Sequence, residues 1–332
     1  MAMARSIYNP NSLEALCDLL PPLAPYLDDS SISEIMVNRG GRETWVEDRA
    51  GMRRVNLDFS RCDLREAVIH IARLNGKDIS EYSPILDTRL EDGSRVSILY
   101  PPVSVDGVSL NIRKFRKELF TLAELERIGS VTSAQRALLL DLVSRRKSGL
   151  IVGGTTSGKT TLLNAIGNEI SDRLRIVQIE DTAEIQINSP NLVRLEAQPP
   201  QVEAGVILSP GVTHSQLVKA SLRARPDIII LGEVRSKEAF DLLQALNTGH
   251  AGSLSTIHAN DPEGAVNRLA VLALMGAPSI PFDALVHMAV DAIDYLVHIV
   301  RDTDTNHRSV DSIQSLSHDR TGKTLFTLGR LD

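Results

Sequence analysis

The run Gly153-Gly154-Thr155-Thr156-Ser157-Gly158-Lys159-Thr160 has the spacing G-x-x-x-x-G-K-T, between apolar Leu150-Ile151-Val152 and Thr161-Leu162-Leu163-Asn164-Ala165-Ile166. Glycines at these positions let successive backbone N–H groups turn inward on phosphate oxygens. A helix beginning there adds its positive dipole end to the same anion. In this pattern Lys159 reaches β- and γ-phosphates and Thr160 holds Mg²⁺. Residues 153–161 are therefore the expected cradle of a nucleoside triphosphate.

Three further clusters carry groups that such a ligand needs. Asp227-Ile228-Ile229-Ile230-Leu231-Gly232-Glu233 reads as a buried strand ending in an acid. Many P-loop enzymes place Asp then Glu there, and here Gly232 takes the first place. The metal then relies on Thr160, phosphate oxygens and waters, with Glu233 reached through water, which suits an ion that dehydrates reluctantly. Glu180-Asp181-Thr182-Ala183-Glu184 follows another strand-like run, so Glu184 and Glu233 are both candidates for orienting an attacking water. Thr248 to Asn260 sets His250 and His258 on either side of a short strand, where each could contact or sense phosphate. Charge developing on a transferred phosphoryl group also calls for cations. The candidates are Arg95 and Arg113, ahead of a predicted linker, and Arg223 and Arg235, which flank the Glu233 strand.

The elements that must position these groups are legible as patterns. Before residue 116, strand-like Ile32–Val37, Thr44–Glu47 and Val108–Arg113 alternate with the helical periodicity of Leu64–Leu74, punctuated by turns at Arg39-Gly40-Gly41 and Glu91-Asp92-Gly93. This predicts a small α+β domain over 1–116 with an antiparallel sheet. Residues 117–131, with Gly129-Ser130, form the expected linker. Thr132-Ser133-Ala134-Gln135 fits a capping box that starts a helix leading to the phosphate loop. Strand-like 174–179, 227–231 and 253–258 alternate with helical 213–224, 236–247 and 262–275, the order of a parallel α/β sheet. Residues 132–332 are thus expected to form a RecA-like P-loop NTPase domain, closing on two strands joined by a turn at 318–323.

Composition bounds the remaining possibilities. The chain has 332 residues, 42% hydrophobic and 23% charged, enough for two cores. No apolar run approaches the roughly 20 residues of a spanning helix, and Met1-Ala2-Met3-Ala4-Arg5 does not open a signal peptide, so a cytoplasmic location is expected. Only Cys17 and Cys62 are present, at no metal or disulfide spacing. A formal charge of −6 speaks against a broad nucleic-acid-binding surface.

Taken together, these motifs resemble those of the hexameric ATPases of type II and type IV secretion systems. Residues 153–160 resemble their first motif and Ile179–Glu184 their aspartate box. Leu231-Gly232-Glu233-Val234-Arg235 resembles their second motif with Gly before Glu, and Thr248–Asn260 their histidine box. Ser31–Asn38 and Asn111–Phe115 look like the family's N-terminal domain. The compact chain and Ser133-Ala134-Gln135-Arg136 are most similar to the conjugal-transfer and type IV secretion traffic branch. Arg194–Pro200 and Ala239–Ala245 look more like the tight-adherence pilus branch. The resemblance implies a Mg²⁺-dependent ATPase working as a homo-hexamer, with nucleotide between the two domains and Arg95 and Arg113 as phosphate contacts. It further implies partners in an inner-membrane secretion or pilus apparatus, peripheral association with the cytoplasmic face of that membrane, and no sequence-specific nucleic acid. The alternatives are a pilus-assembly ATPase, a DNA-stimulated RecA-like translocase and a nucleotide-switched scaffold with little turnover.

Overall fold

The computed structural model describes residues 13–48, 50–90, 92–115, 120–203, 206–319, 321 and 324–332. The sequence readings that fall on Met1–Arg5, Glu91, Lys117, Arg320, Gly322 and Lys323 lie outside them. The chain divides into two compact units, Met1–Glu118 and Leu119–Asp332.

The first unit begins with α1 (Leu13–Leu19) and α2 (Ala24–Asp28). Then come β1 (Glu34–Asn38), β2 (Glu43–Asp48), β3 (Gly51–Val55), α3 (Leu64–Leu74), β4 (Ile85–Arg89), β5 (Arg95–Leu99) and β6 (Ser109–Arg113). These strands form one antiparallel sheet in the order β3-β2-β1-β6-β5-β4. Alternation sends Ile35, Val37, Val46, Val96, Ile98, Leu110 and Ile112 to one face, where they share a core with Ala67, Val68, Ile71 and Ala72 of α3. Asp63 caps α3 by accepting from the Arg65 and Glu66 amides.

The second unit opens with α4 (Leu122–Arg127) and α5 (Ser133–Ser144), both started by capping boxes, Thr121 with Glu124 and Thr132 with Gln135. Part of the predicted linker is thus a helix whose Leu122 and Leu125 are buried in the unit's own core. There follow β7 (Gly149–Gly153), α6 (Lys159–Gly167), β8 (Ile176–Glu180), β9 (Leu192–Glu196), the small β10 (Gln201–Glu203) and β11 (Val206–Ser209), and α7 (His214–Ser221). The remainder is β12 (Ile228–Val234), α8 (Glu238–Leu246), β13 (Leu254–His258), α9 (Pro262–Gly276), α10 (Phe282–Ala292), β14 (Tyr295–Arg301), β15 (Arg308–His318) and β16 (Phe326–Arg330).

Eight of these strands form a sheet in the order β16-β15-β14-β7-β13-β12-β8-β9. From β14 to β9 every pairing is parallel. β15 and β16, the two closing strands, are antiparallel, so the sheet is mixed at one edge. The reason is connectivity: β14 and β15 are joined by a turn of six residues, 302–307, and so short a link cannot return a chain to parallel pairing. The central strands β7 and β8 are buried at every position, as strands covered on both faces must be. Two apolar clusters, one on each side of the sheet, complete the core.

Candidate functional site

The phosphate loop leaves β7 at its carboxyl end and enters α6. β13 and β14 lie parallel on either side of β7, with His258 paired to Gly153. Gly153 sits against β14 so closely that a Cβ there would lie 2.4 Å from the Ile299 carbonyl oxygen. Thr156 and Gly158 have φ of 59° and 99°, in the left-handed region that lets backbone amides converge. Gly154, Thr155 and Thr156 are exposed, Thr160 and Thr161 half-buried. The Ser157 hydroxyl is buried without a hydrogen-bond partner among the described residues.

Lys159 is 7% exposed. Its Nζ donates to the Gly153 carbonyl at 3.0 Å and the Gly154 carbonyl at 2.7 Å, and lies 3.2 Å from His258 Nδ1. Burial pulls its pKa down to about 8, against the attraction of Glu233. An ammonium has only donors, so the facing His258 Nδ1 is the acceptor. The imidazole proton then sits on Nε2, 3.1 Å from Glu233 Oε1. His258 is held in this neutral form because burial, and then the Lys159 charge, lower its pKa.

Glu233 owes its position to a bulge. The β12–β13 pairing shifts between Leu231 and Val234, re-aiming the strand end as bulges do near functional sites. Ser255 and Thr256 of β13 brace it, their hydroxyls donating to the Leu231 and Gly232 carbonyls at 2.8 and 2.7 Å. Burial alone would raise the Glu233 pKa; Arg235, His258 and Lys159 outweigh it and hold the carboxyl below the usual range. Arg235 then spans the gap to the acidic loop, 2.8 Å from Glu233 and 2.7 Å from Asp181. Asp181 in turn lies 3.4 Å from His214 at the start of α7. Four sequence motifs therefore meet in one chain of contacts, Lys159–His258–Glu233–Arg235–Asp181.

Glu180 organises the acidic loop and escaped the sequence reading as an individual residue. Buried at the end of β8, it accepts from the Glu184 and Ile185 amides at 2.8 and 2.6 Å and from the Gln178 amide. Burial nonetheless keeps its pKa above the ordinary value. A Cβ on Gly232 would come 3.3 Å from both Glu180 Cγ and Ile185 Cδ1, so a side chain there would press on Glu180. That crowding gives a physical reason for glycine in the second motif.

The other predicted residues have surroundings of their own. His250 sits in the turn before β13, at the opposite end of that strand from His258, and its Nδ1 donates to the Ala245 carbonyl at 2.8 Å. Five residues of strand separate it from the cluster, about 16 Å of rise. Glu184 holds its amide on Glu180. Arg223 follows α7, in the short turn of helix over residues 222–224. Arg95 and Arg113 are directly paired in the first unit, and Arg113 faces Glu34 on β1. Two arginines that the sequence did not single out touch the loop itself, Arg301 at Thr156 Oγ1 (2.6 Å) and Arg308 at the Thr156 carbonyl (2.8 Å). Their separation from Thr156 by about 150 positions hid them.

A strand–loop–helix phosphate cradle at the carboxyl end of a parallel sheet, with an acid at the end of a nearby strand, defines a P-loop NTPase domain of RecA-like pattern. Residues 20–324 match the family described as type II/IV secretion system protein, and the chain belongs to that family. It is 36% identical over 287 residues to a putative conjugal transfer protein of Mycobacterium tuberculosis, covering 84% of this chain and 80% of that one. It is 34% identical over 307 residues to the type IV secretion system protein PtlH of Bordetella pertussis, covering 85% and 89%. The ATPase DotB of Yersinia pseudotuberculosis shares the fold, with a TM-score of 0.59 at 17% identity over 96% of this chain and 83% of that chain.

Proposed function

We propose that this chain is a Mg²⁺-dependent ATPase that works as a homo-hexamer at the cytoplasmic face of the inner membrane and powers macromolecular transfer in a type IV secretion or conjugation system. The observation that carries the reading is the contact chain from Lys159 through His258 and Glu233 to Arg235 and Asp181. It joins a phosphate-binding lysine to a carboxylate suited to orienting water. The transfer role rests on the family and on relatives named for conjugal transfer and type IV secretion.

In this reading the amides of residues 153–161 hold the phosphates and Lys159 turns from the Gly153 and Gly154 carbonyls to the β- and γ-oxygens. The left-handed backbone at Thr156 and Gly158 and the partnerless Ser157 hydroxyl fit such a cradle. Mg²⁺, when bound, neutralises charge shared by the two outer phosphates; Thr160 is the residue to hold it, with Glu233 acting through water. Glu233, kept ionised by its cationic neighbours, orients the attacking water and takes its proton. His258, neutral and bonded to both Lys159 and Glu233, reports to one what the other has bound. Arg95 and Arg113 remain the cationic candidates carried by the first unit.

The test is steady-state phosphate release with Mg-ATP, in the wild type and in Lys159→Ala. The wild type is expected to hydrolyse ATP and the variant to lose nucleotide affinity or turnover, since a charge-assisted phosphate contact is gone. Equal rates in the two proteins would remove the site assignment.

A further inference from the structure

The ends of β14 and β15 that flank their turn hold the phosphate loop at Thr156. Arg301 NH1 donates to Thr156 Oγ1 at 2.6 Å and Arg308 Nε to the Thr156 carbonyl at 2.8 Å. The two arginines are cross-strand partners in the β14–β15 ladder. Like charges directly opposed across a ladder are unfavourable, so their placement has a cost that Thr156's two oxygens offset. Thr156 is a β-branched residue at φ 59°, a conformation that ordinary L-residues avoid. The base from which the arginines act is itself fastened. Asn306 Oδ1 accepts from Arg301 Nε at 2.6 Å, Asp302 Oδ1 accepts from the Thr305 amide at 2.7 Å, and His307 Nε2 lies 3.2 Å from the Gly129 carbonyl.

We infer that Arg301 and Arg308 are positioning residues that hold Thr156 in its left-handed conformation and so keep the phosphate-binding amides converged. This rests on the nucleotide site proposed above. They act through the loop backbone, and the quantity they set is nucleotide affinity rather than the chemical step.

The experiment measures the affinity of ADP and of a non-hydrolysable ATP analogue by calorimetry, alongside KM and kcat for ATP, in Arg301→Gln, Arg308→Gln and the double variant Arg301→Gln/Thr156→Gly. Each single arginine variant is expected to bind nucleotide about five- to thirtyfold more weakly, the equivalent of the 1–2 kcal/mol by which a left-handed L-residue is disfavoured. KM should rise in step while kcat changes less. Glycine takes φ 59° without strain, so Thr156→Gly is expected to restore most of the affinity lost in Arg301→Gln. Folded arginine variants with wild-type affinity overturn the inference. So does a loss that Thr156→Gly leaves unrestored, which would make Arg301 a direct phosphate contact instead. If Arg301→Gln does not fold, Arg301→Lys, which keeps the charge and loses the forked geometry, takes its place with the same expected rescue. A wild-type protein that binds no nucleotide would overturn the functional reading itself, an outcome distinct from failure of the clamp.

Discussion

Lys159 keeps its charge only partly in its favour: burial lowers its pKa to about 8, while the loop carbonyls occupy its donors. Phosphate oxygens beside the ammonium favour the charged form and raise that pKa in the complex. Nucleotide binding near pH 8 is therefore expected to take up about half a proton per site, and affinity should fall as pH rises through 8. Calorimetry in buffers of different ionisation enthalpy measures the uptake; a pH-independent affinity between pH 7 and 9 would contradict it. Glu233 presents the opposite case, a carboxyl held ionised by Arg235 and His258. Glu233→Gln is expected to retain nucleotide binding and lower kcat by about 10²–10⁴. Full turnover in that variant would move the water-orienting role to Glu184.

At the scale of elements, the strand that delivers the loop is tightly packed at its start. A Cβ on Gly149 would lie 2.4 Å from the ring of Tyr295, which is 1% exposed and buried across the β7–β14 pair. Gly149→Ala is expected to destabilise the second unit by about 1–3 kcal/mol, as overpacking does, visible as a lower thermal midpoint. Thr132→Ala removes the capping box of α5 and should cost about 1 kcal/mol by the same measurement. Much of this frame is readable in the chain. The glycine spacing located the loop, periodicity located α3, α5, α8 and α9, and Thr132 with Gln135 marked a helix start that the structure contains. Other features are set by distance along the chain. His250 and His258 look equivalent in sequence, yet a strand five residues long sends them to opposite ends of the sheet. Arg301 and Arg308 meet Thr156 only because β14 pairs beside β7. Glu180 reads as one acid among three until the fold sets it against Gly232, on the neighbouring strand.

For the whole molecule the proposal is a ring, in which one face of each subunit completes the next. Specific ATPase activity is expected to rise with protein concentration until assembly is complete, with mass photometry showing a six-subunit species over the same range. Full specific activity in a sample shown to be monomeric would mean a self-contained site. Among the described residues no helix is long and apolar enough to cross a membrane.

The sheet order has a consequence for how the protein comes into being. β7, which carries the phosphate loop, is flanked by β13 and β14, made more than 100 residues later. Pairings of such long sequence separation form late, after much chain entropy has been lost. On a translating ribosome the loop has emerged long before its neighbours exist, so a chain halted before residue 295 lacks one wall of the cradle and both arginines at Thr156. On the nucleotide site proposed above, a chain halted there is expected to bind ATP more weakly than the finished one, so the ligand's help in folding should come late.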